Sequence, residues 1–238
     1  MPAINNRISE VIAIYEAVVK GGIEQRALGS KDRAYGGIIR AGMGGLTESI
    51  GKKLVKLAWL NLRGKEQRLS IPNMQPKFKI SIKKKYIDSI ENTEVKNHLK
   101  DNFSKYYYLQ GTDIRVLIDN KLVLVIECKT YTENAMLKRI LVDFTLLKEM
   151  HPNITSVLLQ LESQLGGDYS ELNIQTFGSP STHTLISYFD VDLNIITLLK
   201  GERKVNKRIS MPEFYKPLEE KSLLSAIETL SKLLEKHV

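Results

Sequence analysis

Gly111-Thr-Asp-Ile-Arg-Val-Leu-Ile-Asp-Asn-Lys-Leu-Val-Leu-Val-Ile-Glu-Cys-Lys129 reads as two β-strands joined by a turn. Ile114, Val116 and Ile118 alternate on the first strand, and Leu122, Leu124 and Ile126 on the second. If these share the core face, Ile114 stands opposite Ile126, Val116 opposite Leu124 and Ile118 opposite Leu122, and Asp119, Asn120 and Lys121 form the turn. In that register Asp113 lies opposite Glu127, on the face that also carries Lys129, because residues i and i+2 of a strand share a face. A two-residue Asp119-Asn120 turn shifts the register by one and sends Asp113 to the wrong side. Cys128 alternates onto the core side, as packing rather than as a nucleophile.

Two carboxylates and a lysine presented together from an apolar strand suit hydrolysis of a phosphodiester. Carboxylate oxygens hold a hard divalent cation, and an ammonium beside them orients a water or neutralises developing charge. The same residues also admit a purely structural reading, an edge salt bridge from Glu127 to Lys129 or to Arg115.

The rest of the chain narrows the setting. Its 238 residues fit one large domain or a core with a small lobe. A net charge of +8 and a pI of about 9.3 favour a polyanionic partner. One Cys excludes an internal disulfide and fits a reducing cytoplasm, and four scattered His give no zinc spacing. No apolar run is long enough for a bilayer, and the polar start lacks signal-peptide character.

Along the chain, residues 5–20 predict an amphipathic helix ended by Gly21-Gly22. Residues 28–45, rich in Gly and Arg, read as a basic connector. A second helix is expected from about Leu46 to Leu62, with Glu48 in its first turn. Glu48 is either a dipole-favoured surface residue or a further carboxylate brought to the hairpin. Lys77, Lys79, Lys83, Lys84 and Lys85, interleaved with Phe78, Ile80 and Ile82, suggest a basic strand that faces phosphate or guards an edge. Residues 86–105 look helical, and Tyr106, Tyr107 and Tyr108 lead into the hairpin. After Lys129 a helix capped by Thr130 or Thr132 runs to about Met150, followed by a strand over 155–162. Strand, helix, strand implies a right-handed crossover and a parallel pair, so the sheet is mixed. A loop from Gly178 to His183, the cluster Arg203, Lys204, Lys207 and Arg208, and a final amphipathic helix after Pro217 complete the chain.

Asp113 followed by Glu127-Cys128-Lys129 resembles the PD-(D/E)XK nuclease superfamily, best known from type II restriction endonucleases. Thr112 replaces the Pro usual before the Asp. The resemblance covers about residues 44 to 165 and implies a restriction-endonuclease-like α/β core: a mixed sheet of antiparallel hairpin plus parallel strand, flanked by helices. It leaves 166–238 of a single nuclease domain for recognition and dimerisation. It implies Mg²⁺ held by Asp113 and Glu127, with Glu48 as a further candidate ligand, and Lys129 acting on the attacking water. The implied substrate is double-stranded DNA cut at specific sites, by a homodimer or by a heterodimer with a related subunit. Candidate DNA contacts are Lys83, Lys84, Lys85, His183, Arg203, Lys204, Lys207 and Arg208. Two alternatives stay open: a repair, recombination or modification-dependent nuclease of the same fold, and a basic DNA- or RNA-binding module without catalysis.

Overall fold

The hairpin forms, but its turn differs from the expected one. A computed structural model describes residues 2–22, 32–74, 76–169, 178–207, 209 and 211–238. In it Ile114 pairs with Ile126 and Val116 with Leu124, as alternation predicts, while Leu117 pairs with Leu122 and Ile118 with Lys121. The turn is therefore the two residues Asp119 and Asn120, at φ 51° and 62°. Two consecutive positive φ values match the right-handed twist of the flanking strands. Val123 is the extra residue of a β-bulge that absorbs the one-residue shift. Val123 and Leu124 both enter the same core, and Leu122 moves to the opposite face, against the second core.

The chain begins with helix α1 (Pro2–Ala17), continued by a π-helical turn over Val18–Gly22. Helix α2 runs over Asp32–Asn61, so residues 32–45 continue the helix instead of forming a connector. Buried Met43 extends the stripe of Leu46, Ile50, Leu54 and Leu57 by a turn, and this packing outweighs the weak helix propensity of the glycines. Strand β1 (Leu69–Ser70) and strand β2 (Phe78–Ser81) follow. Helix α3 (Lys84–Asp88) takes up Lys84 and Lys85, which therefore leave the expected basic strand. Helix α4 (Thr93–Asp101) starts at Asn92, whose side chain accepts from Val95 N.

Tyr107–Gln110 forms β3, which pairs with β2 in a separate two-stranded ribbon. Then come β4 (Ile114–Ile118), β5 (Lys121–Glu133), α5 (Asn134–Met150) and β6 (Thr155–Gln164). The expected threonine cap is absent: Thr132 is a buried strand residue, and Glu133 at the N-cap makes no side-chain cap bond. Helix α6 (Pro180–Ser187), β7 (Leu193–Thr197) and α7 (Glu220–Leu234) complete the order.

The main sheet has the order β1-β4-β5-β6-β7. β4 is antiparallel to β1 and β5, whereas β5, β6 and β7 run parallel. This is the mixed sheet that the sequence implies. Helices α1, α2 and α7 cover one face, and α5, with part of α6, covers the other. Asn61 Nδ2 donates to Ser231 Oγ at 3.2 Å, tying α7 to α2.

At Gly51 helix α2 lies close against the sheet. A Cβ there would stand 2.7 Å from Ile114 Cδ1 and 2.8 Å from Leu159 Cδ2, whereas at Gly45, on the same helix, it would meet nothing within 4 Å. Gly51→Val is expected to destabilise by roughly 1–3 kcal/mol through overpacking. Gly45→Ala is expected to stabilise by up to about 1 kcal/mol through helix propensity. Thermal melts of the two variants should move in opposite directions, and shifts of the same sign would refute the close approach.

Candidate active site

Asp113 sits in the short link between the β2–β3 ribbon and β4. Cys128 N donates to its Oδ2 at 2.7 Å, which fixes the carboxylate against β5. Glu127 and Lys129 project from the same face of β5. Lys129 Nζ lies 2.5 Å from Glu127 Oε1 and 3.7 Å from Asp113 Oδ2, and it also donates to the Cys128 carbonyl at 3.2 Å. One ammonium thus stands between two carboxylates. Side-chain exposure rises from 17% at Glu127 through 30% at Lys129 to 36% at Asp113, so the group is rooted in the sheet and opens to solvent.

Burial raises the Glu127 carboxyl above its ordinary value; the charge of Asp113 adds to this, and Lys129 partly offsets it. Asp143 of α5, which the sequence did not single out, contributes in the same direction. Its signal was position alone, on the helix that follows the Glu127 strand. Burial also pushes the Cys128 thiol up, and the charges of Asp113, Glu127 and Glu48 push it further. A buried, protonated thiol fits packing and not nucleophilic attack.

Glu48 is close enough to influence Cys128 but is ion-paired with Lys52 at 2.7 Å, one turn along α2. Among the described residues no group of three or more His, Cys, Asp or Glu is placed to hold a metal ion. The donor set that converges is the pair Asp113 and Glu127. Both offer hard oxygen ligands suited to a cation such as Mg²⁺, and a bound cation would relieve the repulsion from Asp113 that adds to the effect of burial on Glu127.

The other candidates lie outside this group. Lys83, Lys84 and Lys85 are exposed around the start of α3, and Lys83 pairs with Glu149 at 3.0 Å. His183 is exposed on α6, and Lys204 and Lys207 are exposed after β7. Arg203 is only partly exposed, its guanidinium stacked on Tyr131. Arg208 lies outside the described residues. Arg115 does not pair with Glu127: its Nε donates to Thr112 Oγ1 at 3.1 Å, and its guanidinium lies 3.6 Å from the Phe78 ring centroid. No helix among the described residues is long and apolar enough to cross a membrane.

No protein-family model matches the chain. It is 47% identical over 236 residues to the type II restriction enzyme DdeI of Desulfomicrobium norvegicum, covering 98% of both chains. The solved Bse634I restriction endonuclease aligns with 95% of this chain and 86% of its own, at 12% identity and a TM-score of 0.42, too loose a likeness to add weight.

The raised Glu127 carboxyl has a consequence for stability. The folded protein holds this proton more tightly than the unfolded chain, so stability present at low pH is lost as pH rises through the folded value. Glu127→Gln removes that loss. In chelator, the variant should melt above the parent at pH 8, with the gap shrinking toward pH 4. A variant that melts lower at pH 8 would contradict this account of the site.

Proposed function

Because this chain belongs to the type II restriction enzymes, we propose that it is a Mg²⁺-dependent endonuclease that hydrolyses phosphodiester bonds at specific sequences in double-stranded DNA. The observation that carries this reading is the Lys129 ammonium set between Asp113 and Glu127 on one strand face. Asp113 and Glu127 are the residues to hold the cation. When bound, the ion supplies Lewis acidity toward the phosphoryl oxygen and charge to offset the developing anion.

Asp113 is kept in place by the Cys128 amide, and Glu127 by its burial in the sheet. Lys129 orients the attacking water and donates toward charge that grows on the phosphate. Glu48 becomes a further ligand only by leaving Lys52, so it stands second to the pair on β5. Lys83, Lys84, Lys85, His183, Lys204 and Lys207 supply salt-sensitive contacts to the DNA backbone. Residues 44–165 form the catalytic core, and 166–238 carry recognition and dimerisation elements. A two-fold DNA site calls for a symmetric dimer.

Unmodified plasmid or phage DNA, incubated with and without Mg²⁺, tests the proposal. Discrete fragments should appear only with the metal. Asp113→Ala should abolish them, and Lys129→Ala should slow cleavage by roughly two to four orders of magnitude while DNA binding persists. Near-parental cleavage by Lys129→Ala would sink the assignment of this site.

A further inference from the structure

β5 does not end at the triad. It continues to Glu133, and Tyr131 follows Lys129 on the same face. The Arg203 guanidinium lies over the Tyr131 ring, 3.6 Å from its centroid. Its Nη1 donates to Gln164 Oε1 at 2.5 Å, and its backbone N donates to the Ser163 carbonyl at 2.7 Å. The side chain is therefore fixed at its root, along its plane and at one nitrogen.

Among the described residues it has no ion-pair partner. Glu162, the register partner of Tyr131, is paired with Lys216 at 2.8 Å. Glu202, next in sequence, accepts from Gly166 N at 2.7 Å. Glu133, the register partner of Gln164, makes no ion pair with Arg203. The fork of five N–H donors retains most of its capacity and all of its charge, facing the same side as the triad.

We propose that Arg203, held on Tyr131, grips the DNA phosphodiester adjacent to the one that is cleaved. The assignment rests on the nuclease reading above and adds a substrate contact to it. Two residues of strand separate Tyr131 from Lys129, about 7 Å, the scale of one step along a DNA strand. A strand whose scissile phosphate meets Lys129 therefore brings its next phosphate over Arg203. Reading a base edge needs a side chain that extends into a groove, which the stack on Tyr131 and the bond to Gln164 prevent. A planar fork suits a phosphate in two-point contact.

The test compares full-length parent, Arg203→Ala, Arg203→Lys and Tyr131→Leu proteins. Cleavage of plasmid DNA in Mg²⁺ is measured beside binding of the same DNA in Ca²⁺ across a salt series. Arg203→Ala should reduce the slope of log K against log salt by about one. It should lower kcat/KM roughly ten- to a hundredfold and leave the fragment pattern unchanged. Arg203→Lys should restore the slope but not the rate, and Tyr131→Leu should keep the slope and lose rate. An unchanged slope with Arg203→Ala, a changed fragment pattern, or full recovery of rate with Lys would each overturn the clamp. If Arg203→Ala does not fold, the Lys and Tyr131→Leu variants decide alone. A parent that cuts DNA beside an unaffected Arg203→Ala protein removes only this assignment; a parent that cuts nothing removes the nuclease reading beneath it.

Discussion

One extra residue in β5 sets the geometry of everything around the triad. The turn at Asp119 and Asn120 is the tight two-residue kind, and alone it would carry a register that turns Asp113 away from Glu127. Val123 takes up the difference as a bulge before the strands reach Val116 and Leu124. The turn keeps the backbone twist it prefers, and the far end of the hairpin keeps the pairing the carboxylates require. Arg68 reinforces the turn with donors to both Asp119 carboxylate oxygens, at 2.8–3.1 Å. Bulge, turn and the Asp113–Cys128 hydrogen bond thus form a single device that holds two strands in one relation.

The helices explain how a charged group survives on the central strand of so apolar a sheet. Ile114, Ile126 and Cys128 face α2, where Gly51 lets the helix backbone settle against them. The alternating residues Glu127 and Lys129 lie on the side of α5, where Val125 and Leu158 bury the strand just before the site. The triad therefore begins where the apolar contacts of this face end. Desolvation is the largest cause of the raised Glu127 carboxyl, with the charge of Asp113 adding to it, while Lys129 and Asp113 stay open to solvent.

The hairpin, its apolar alternation and the grouping of Asp113, Glu127 and Lys129 were legible because period-2 patterning fixes which side chains share a face. The bulge was not legible, because Val123 is as apolar as its neighbours in Leu-Val-Leu-Val-Ile and an extra residue there leaves no mark in composition. The first half of α2 was hidden by its glycines, although Met43 continued the stripe. The basic strand over Phe78–Ser81 was legible by its alternation, but its partner β3 escaped because Tyr107, Tyr108 and Leu109 are all exposed and show no alternation. Tyr131 and Arg203 lie far apart in sequence, and only the parallel pairing of β5 with β6 and the bond from Arg203 to Ser163 bring them together. Which cation meets which ring is a tertiary fact with no local period.

The excess of basic residues is consequently a poor guide to where DNA lies, and what each cation touches is a better one. Arg115 is buried against Phe78 and joins the ribbon to the sheet, so its charge serves the fold. Arg68 closes the turn through Asp119, and Lys216 neutralises the buried Glu162. Lys129 is held by carboxylates, which suits the role proposed for it at the reacting phosphate. Arg203 differs from all of these: it is immobilised by a ring and a neutral amide. A guanidinium fixed without a carboxylate has already lost much of its side-chain freedom and still carries its whole charge. Binding a phosphate there would require neither breaking an ion pair with a described residue nor ordering a long side chain, and that combination sets this cation apart from the exposed lysines.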